Sequence, residues 1–467
     1  MFQDKDGSAA PIVWEQVRRT FWAIQGYGLV GITFLSFSPR WFHLQEYLFF
    51  SLFVLALLGA SVEKRTPWIR TPLDLPLLLF VGWILLTVPF ATDPAYSLTE
   101  WRKLVAQLLV FYWVLFVFRA DNNEGPTRWI LAAVVVGTIA LCASALVDFV
   151  ERGGTWRDRL VRAGASSSDY NWLSTYMVIA IPMLIVAALA YRGWLKRVII
   201  GLAVGLAIVT QVVSFTRAGW LGHVAEGLAC ALMTGRRWLL VWVLGGTVLI
   251  GVALVTLSQV GYHRSTVDPW TLETRVAVWK LGVQEIVAHP ILGIGYGNDT
   301  FVKQYPEYLT QSQGALSTKD IKLPAMHNTF LMVAMGSGIP ALVLFVLVFV
   351  RMVAILVTRT KQPQVSAGTR RLLIGIGVSI TGFAIRNWFD YMFAGSLAYL
   401  FWILVAMGLA QHASCTEQTP QPEHLQREQF AGVTSFHKAG LVGLRCAIFS
   451  ITRLRVAWRA SPRSWWR

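Results

Sequence analysis

Long apolar segments alternate with short polar segments along almost the whole chain. Most apolar runs have the length, about 17 to 25 residues, that carries a helix across the hydrocarbon core of a bilayer. The chain is therefore predicted to be an all-α polytopic integral membrane protein. Twelve spans are predicted, at about 21–38, 44–62, 74–91, 104–118, 129–149, 172–190, 197–213, 218–234, 238–259, 328–350, 372–391 and 394–412.

One long polar segment, residues 260–326, separates the ninth and tenth predicted spans. A loop of this size is usually functional or disordered. Here Asp268-Pro269 has the residue types that begin a helix, and apolar residues recur at helical spacing as far as Ala288. The glycine-rich stretch 293–298 follows, and it predicts a tight turn joining two helices. A nucleotide-binding motif is excluded because no strand precedes it. We therefore predict a folded, functional loop.

The charge distribution predicts how the chain lies in the membrane. Charged residues make up 14% of the chain and the formal net charge is +16. Lys and Arg concentrate in every second short loop, which places those loops and both termini in the cytoplasm. Because the basic residues are spread over one membrane face, nucleic-acid binding is not indicated. The predicted regions are a cytoplasmic N-terminus (1–20), a transmembrane domain (21–413), a periplasmic loop domain within it (260–326) and a basic cytoplasmic tail (414–467).

The distribution of cysteine and histidine bears on disulfides and metals. Two of the four cysteines lie in predicted spans and two in the tail, so no disulfide is expected. No histidine pair has the helical spacing of a zinc site, and no cysteine lies in an outside loop. Neither a metal nor another cofactor is therefore expected.

Several arginines lie on the predicted outer side, against the charge rule. Arginine near hydrocarbon is costly and is a functional candidate unless it reaches to lipid headgroups or pairs with a nearby carboxylate. Guanidinium groups bind phosphate through paired donors. A lipid diphosphate at the outer leaflet would fit this set, and membrane lipids are the expected surroundings. The arginines are Arg152, Arg157, Arg159, Arg162, Arg217, Arg275 and Arg386.

His327 and Asn328 open the tenth predicted span, at the same outer face. Histidine is the natural proton acceptor near neutral pH, so His327 is the candidate general base. A purely structural hydrogen bond at the membrane interface is the other interpretation. Asp390 and Glu273 are further candidate carboxylates, and Glu273 is better suited to orienting a neighbour.

These residues carry a family resemblance. Ser-Phe-Thr-Arg217-Ala-Gly-Trp, then Glu273-Thr-Arg275 through Gly293-Ile-Gly-Tyr-Gly-Asn298, then His327-Asn-Thr-Phe-Leu resemble the O-antigen ligase and polymerase superfamily. The resemblance is closest over roughly 200–345, and the span pattern with one large loop is similar to the ligase architecture.

The resemblance implies a fold similar to GT-C-type transferases and a specific reaction. A glycan would move from undecaprenyl diphosphate to a sugar hydroxyl of lipid A–core, at the periplasmic face of the bacterial inner membrane, without nucleotide or metal. The family's essential arginines and histidine correspond to Arg217, Arg275 and His327. Arg152, Arg157, Arg159, Arg162, Asn328 and Arg386 are expected to contact the diphosphate or the acceptor.

Other functions remain open at this point. An O-antigen polymerase or a protein O-oligosaccharyltransferase would use the same donor, although one long loop favours a ligase. A transporter or flippase for an anionic lipid would also place arginines outside. It should show an internal repeat and charges near the bilayer midplane. No repeat is visible, and the spans contain few charges near the midplane, with His223 and Glu226 in the eighth span as exceptions. The oligomeric state is left open.

Overall fold

A computed structural model describes residues 9–120, 125–155, 163–164, 170–235, 269–304 and 326–411. The described residues are mainly helical, with short 3-10 helices at Pro39–Trp41 and Val88–Phe90. The α-helices are α1 (Ala9–Leu35), α2 (Phe42–Val62), α3 (Asp74–Thr87), α4 (Pro94–Ala120), α5 (Gly125–Glu151), α6 (Tyr170–Ala190), α7 (Trp194–Val213), α8 (Arg217–Thr234), α9 (Pro269–Ala288), α10 (Thr300–Gln304), α11 (Thr329–Thr360), α12 (Ala367–Asn387) and α13 (Gly395–Ala410).

Seven of the described helices are long and apolar enough to cross a membrane: α2, α4, α5, α6, α7, α11 and α12. Shorter apolar helices cover Asp74–Phe90 and Gly395–Ala410. Large apolar side chains also point outward from the bundle, including Leu58, Leu86 and Leu202 at 60% exposure or more. A helix that is apolar on its outer face as well as its inner face fits contact with lipid. The predicted class, an all-α polytopic membrane protein, is confirmed.

Each predicted span within the described residues coincides with a helix, but several helices are longer than the apolar stretch. Helix α1 begins at Ala9 rather than near residue 21, and α11 continues to Thr360. Hydropathy marks the segment inside hydrocarbon, whereas the backbone hydrogen bonds continue into the polar region. The predicted ninth span, 238–259, and the tail, 414–467, lie outside the described residues.

Different hydrogen bonds between loops and helix ends mark the two ends of the bundle. At one end, Thr92 N donates to Ile294 O (2.8 Å), and His327 contacts Asp390. We call this the His327 end. At the opposite end, Arg359 Nη1 donates to Leu409 O (2.9 Å). These two groups of contacts lie near opposite ends of α11 (Thr329–Thr360).

The interior of the bundle is dense and aromatic. Helix α13 is buried along its whole length from Ser396 to Ala410, and α6 is buried over most of its length. Phe383 and Phe401 pack with ring centroids 4.9 Å apart, beside Phe393. Close packing of side chains, rather than exclusion of water, holds such a core together in lipid.

Helix α11 is broken inside the bundle. Ser337 and Gly338 leave the helical conformation, and Pro340 follows. Proline cannot donate the hydrogen bond that would continue the ladder, and Gly338 adopts a positive φ of 81°. The break exposes carbonyl groups of the first half-helix. These accept hydrogen bonds from the chain that follows α9: Ile294 N donates to Met335 O and Gly295 N to Gly336 O, both at 2.9 Å.

The glycine-rich turn 293–298 thus joins α9 to α10, as predicted, and docks into the break in α11. A Cβ at Gly293 would lie 2.5 Å from the Gly336 carbonyl oxygen, so the two backbones meet too closely for a side chain. On its other side the turn contacts the start of α4, where Tyr96 Oη accepts from Asp299 N (2.9 Å). The described part of the loop is therefore attached to α4 and to α11, the helix that follows His327.

Candidate active site

His327 lies immediately before α11 in an unusual backbone conformation. Its φ is +49°, in the left-handed region that non-glycine residues rarely adopt. The residues on both sides are anchored. Trp279 Nε1 donates to Met326 O (2.9 Å), and the Asn328 side chain caps α11 by accepting from Leu331 N (3.0 Å). Neighbouring structure of this kind is needed to maintain a strained conformation, and such residues cluster at functional sites.

The imidazole of His327 contacts a buried carboxylate. Nδ1 of His327 lies 2.9 Å from Oδ1 of Asp390, in the turn between α12 and α13. The Asp390 side chain is 7% exposed, while the His327 side chain is 35% exposed. If Nδ1 carries the proton and donates it to this hydrogen bond, Nε2 keeps its lone pair for accepting a proton. The pair therefore has the arrangement of an oriented general base.

The charge state of Asp390 is set by its neighbours. Burial by itself raises the pKa of this carboxyl. The hydrogen bond from His327 and the positive charges of Arg386, His327 and Arg275 outweigh that effect and hold the pKa below its ordinary value of 3.8. Asp390 is thus ionised at neutral pH. Arg275, half-buried on α9, lies near enough for its charge to act on the same carboxylate.

Arg386 lies behind Asp390 and is fully buried, at 0% exposure. Its Nη2 donates to the Asn171 side-chain oxygen (3.1 Å) and carbonyl oxygen (3.2 Å), and lies 3.5 Å from Asp390 Oδ2. In this conformation the guanidinium faces Asp390 and Asn171 and is not exposed to solvent. The expected contact of Arg386 with substrate stays a prediction, and its observed contacts are those of a positioning residue.

The turn that carries Asp390 is itself tied to the start of α11. Thr329 Oγ1 lies within hydrogen-bond distance of Asn387 Oδ1 (2.8 Å) and of Asp390 O (2.9 Å). Asn387 Oδ1 also accepts from Met392 N (3.2 Å). Thr329, Asn387 and Met392 are buried, so their hydrogen bonds are not shared with solvent. Thr329 follows His327 by two residues and contacts the backbone of Asp390. These hydrogen bonds therefore help to fix the distance between His327 and Asp390.

Arg217 is the first residue of α8 and is exposed at the His327 end. The preceding Thr216 contacts Tyr170 O (Oγ1, 3.5 Å), and the residue after Tyr170 is Asn171, which holds Arg386. This chain of contacts puts the Arg217 turn beside the helix that supports the Asp390 site. The backbone N–H groups at the start of α8 favour an anion in the same place.

The remaining predicted site residues differ in how the structure places them. Arg152 is exposed just after α5 and forms an ion pair with Asp148. Arg157, Arg159 and Arg162 lie outside the described residues, so their predicted role in substrate binding stays a prediction. Asn328 is buried and its Oδ1 is occupied by the cap of α11, which gives it a structural role beside the predicted one.

The sequence pointed to His327 and offered Asp390 as a further candidate carboxylate, but it did not pair the two. Asp390 follows Arg386 by four residues, a spacing that places both on one side of a helix end. That spacing was the available signal, but it does not identify a partner 63 residues from His327. Asn171 and Trp279 carry no sequence signal for their roles, because each acts on a group that is distant in the sequence.

The positions of the His, Cys, Asp and Glu side chains bear on whether the site could bind a metal ion. Among the residues that the structure describes, no group of three or more His, Cys, Asp or Glu side chains is placed to hold a metal ion. The prediction of a metal-independent reaction stays a prediction. The groups that are present supply a proton acceptor, a carboxylate that orients it, and guanidinium groups suited to an anionic substrate.

The fold and the site together define a polytopic membrane protein with a histidine–carboxylate pair and arginines at one end of its helical bundle. Comparison with known families then gives the assignment. Residues 202–346 match the family model described as O-antigen ligase. The matched region includes Arg217, Arg275 and His327, and the predicted resemblance is confirmed. A comparison with curated proteins gave no match.

Proposed function

We propose that this protein transfers O-antigen glycan from undecaprenyl diphosphate to a sugar hydroxyl of lipid A–core, completing lipopolysaccharide. The observation that carries the proposal is the His327–Asp390 pair, 2.9 Å apart, with His327 inside the matched family region. The reaction would take place at the periplasmic face of the inner membrane, without nucleotide or metal.

The proposed chemistry is a single displacement at the anomeric carbon. Nε2 of His327 accepts the proton of the acceptor hydroxyl as the hydroxyl oxygen attacks the carbon. The new carbon–oxygen bond forms while the bond from that carbon to the diphosphate oxygen breaks, and the electron pair stays with the leaving diphosphate. Asp390 stabilises the imidazolium that forms. Attack from the face opposite the leaving group inverts the anomeric configuration, so a retained configuration would contradict this scheme.

Arginines would stabilise the negative charge that develops on the diphosphate. Guanidinium groups remain charged at any working pH and match the geometry of phosphate oxygens. Arg217 is exposed where α8 begins, so a diphosphate bound there would meet both its guanidinium and the backbone N–H groups of the first turn. The positive charge of Arg275 acts on Asp390 and therefore lies close to the base. Removing one such donor typically lowers a rate by about 10²-fold to 10³-fold.

Location supports a lipid-linked donor. The site lies at one end of a bundle whose outer surface is apolar along the helices. A polyprenyl chain could remain in the bilayer while its diphosphate reached the His327 end. A soluble donor has no lipid chain to hold it in the bilayer beside the His327 end.

The test uses the purified full-length protein, undecaprenyl-diphosphate-linked glycan and a choice of acceptors. Glycan appearing on lipid A–core supports the ligase. Extension of the donor glycan identifies a polymerase, and glycan on a peptide Ser or Thr identifies a protein O-oligosaccharyltransferase. Movement of intact donor across proteoliposomes without transfer identifies a flippase. Each of the last three results overturns the proposal.

Two substitutions test the assigned roles. His327→Ala should abolish transfer, because it removes the acceptor for the hydroxyl proton. Near-normal transfer would show that His327 is not the base.

Arg217→Ala should lower transfer by about 10²-fold or more while the protein still inserts into the membrane. Arg65→Ala is the control, since Arg65 is paired with Glu63 at the surface between α2 and α3 and should change the rate less.

A further inference from the structure

Helix α9 carries one face that touches the chain next to His327. Arg275, Trp279 and Gly282 are spaced four and three residues apart, so they lie on the same side of the helix. Trp279 donates its indole N–H to Met326 O at 2.9 Å, and Met326 is fully buried. A Cβ at Gly282 would lie 2.5 Å from Met326 Cε. Both the backbone and the side chain of Met326 are therefore in contact with this face.

The contact matters because Met326 is joined directly to the candidate base. His327 has a φ of +49°, which side chains with a Cβ seldom adopt. The cost of such a conformation is borne only where neighbouring structure holds it. Downstream, the Asn328 cap fixes the chain to α11. Upstream, the described hydrogen bond is the one from the indole to Met326. Loss of that bond would weaken the support of the strained residue on one side.

The same helix carries a candidate substrate-binding arginine. Arg275 is one helical turn before Trp279, and its charge acts on Asp390, the partner of the imidazole. One turn of α9 thus connects the Arg275 guanidinium with Trp279, which holds the chain next to His327. Movement of α9 would change the positions of both groups together.

We propose that Trp279 is a positioning residue, whose indole hydrogen bond to the Met326 carbonyl sets the position of the His327 imidazole relative to Arg275. This rests on the proposed function, because it assigns Trp279 a part in bringing the base and the leaving-group arginine into one geometry. Trp279 does not touch the reacting atoms. Its effect is on how often the base is correctly placed once both substrates are bound.

The test variant is Trp279→Phe, which keeps an aromatic ring and removes the N–H. A misplacement of about 1 Å can lower a rate by roughly 10²-fold. We expect kcat to fall between about 10-fold and 10²-fold, with KM for the donor changed by less than about twofold, since the anion-binding groups remain. Trp101→Phe is the matched control, because Trp101 Nε1 makes the same kind of bond to Val81 O (3.0 Å) in another helix pair.

A readout independent of activity accompanies the kinetics. Backbone hydrogen exchange in the segment 326–332 should rise in Trp279→Phe and stay unchanged in Trp101→Phe. Gly282→Ala presses on Met326 from the same helix face without altering the indole, and it should lower kcat in the same direction. This second variant decides the question if Trp279→Phe does not fold.

The outcomes separate this inference from the proposed function. If the wild-type protein transfers no glycan, or if His327→Ala is fully active, the proposed function fails. If the wild type is active, His327→Ala is inactive, and both Trp279→Phe and Gly282→Ala keep the wild-type kcat, only the positioning role is overturned. Equal losses in Trp279→Phe and Trp101→Phe would also overturn it, by showing a general packing effect.

Discussion

At the scale of single residues, Asp390 interacts with an imidazole and a guanidinium at once. It accepts a hydrogen bond from His327 on one oxygen and faces Arg386 on the other, and it is almost fully buried. A buried carboxylate between two such groups both orients the imidazole and compensates a buried guanidinium. Substitution at this position should therefore change activity and stability by separable mechanisms.

Asp390→Asn should lower kcat by about 10²-fold to 10⁴-fold, because an amide can also donate to Nδ1 and so favours the wrong tautomer of His327. Steady-state transfer to lipid A–core measures the effect. Asp93→Asn is the control: Asp93 lies at the same end, but its ion pair is with Lys303 on α10. A rate within a few-fold of wild type for Asp390→Asn would show that the base does not depend on this carboxylate.

The stability effect of Asp390 has a defined direction with pH. Its pKa in the folded protein is below the ordinary value of 3.8, so the folded state is favoured by the ionised carboxylate at any pH above that value. This contribution is lost as the pH falls through the lower, folded-state pKa. Unfolding temperatures of wild type and Asp390→Asn should therefore differ most near neutral pH and converge in strong acid. A difference that widened on acidification would contradict the assigned shift.

At the scale of elements, the break in α11 turns a spanning helix into a support for the loop. Ser337 O accepts from Trp83 Nε1 (2.9 Å), while Ile339 N donates to Pro290 O (2.8 Å). The first half-helix, which begins beside His327, is thus joined to α3 on one side and to the loop on the other. Backbone groups freed by the break are satisfied by protein, as they must be at membrane depth.

Gly338→Ala should disrupt this junction. At φ +81° a Cβ would collide with Ile291 O, so the change adds a backbone clash to a strained conformation, which alone costs about 1–3 kcal/mol. The unfolding temperature and the rate of glycan transfer should both fall. Gly205→Ala in α7 is the matched control: nothing lies within 4 Å of its Cβ position, so the change should be neutral. Equal effects of the two substitutions would contradict a special role for the junction.

The helices were largely predictable from sequence, whereas the junctions were not. Apolar length located the spans, and Asp268-Pro269 located the start of α9, because these signals are local. The predicted eleventh span, 372–391, ran past the real end of α12 at Asn387, because the apolar residues continue through the turn. The His327–Asp390 contact and the docking of Gly295 on Gly336 depend on residues far apart in the chain, which no local pattern encodes.

At the scale of the whole molecule, the described structure separates two ends with different chemistry. Arg359 and Arg371 hold carbonyl groups of neighbouring helices at the end opposite His327, and Lys361 is exposed beside them. Basic residues of short loops mark the cytoplasmic side of membrane proteins. The histidine–carboxylate pair therefore belongs to the periplasmic end under the proposed function.

Sidedness can be measured with single cysteines in a background lacking the four native ones. Thr92→Cys, exposed at the His327 end, should react with a membrane-impermeant maleimide added outside the inner membrane. Lys361→Cys should react only after the membrane is opened. Both substitutions lie away from the assigned base and arginines, so transfer activity can be followed in the same preparation. The reverse labelling would put His327 in the cytoplasm, where a donor awaiting ligation at the outer leaflet could not reach it, and would exclude periplasmic transfer even if the residue chemistry were right.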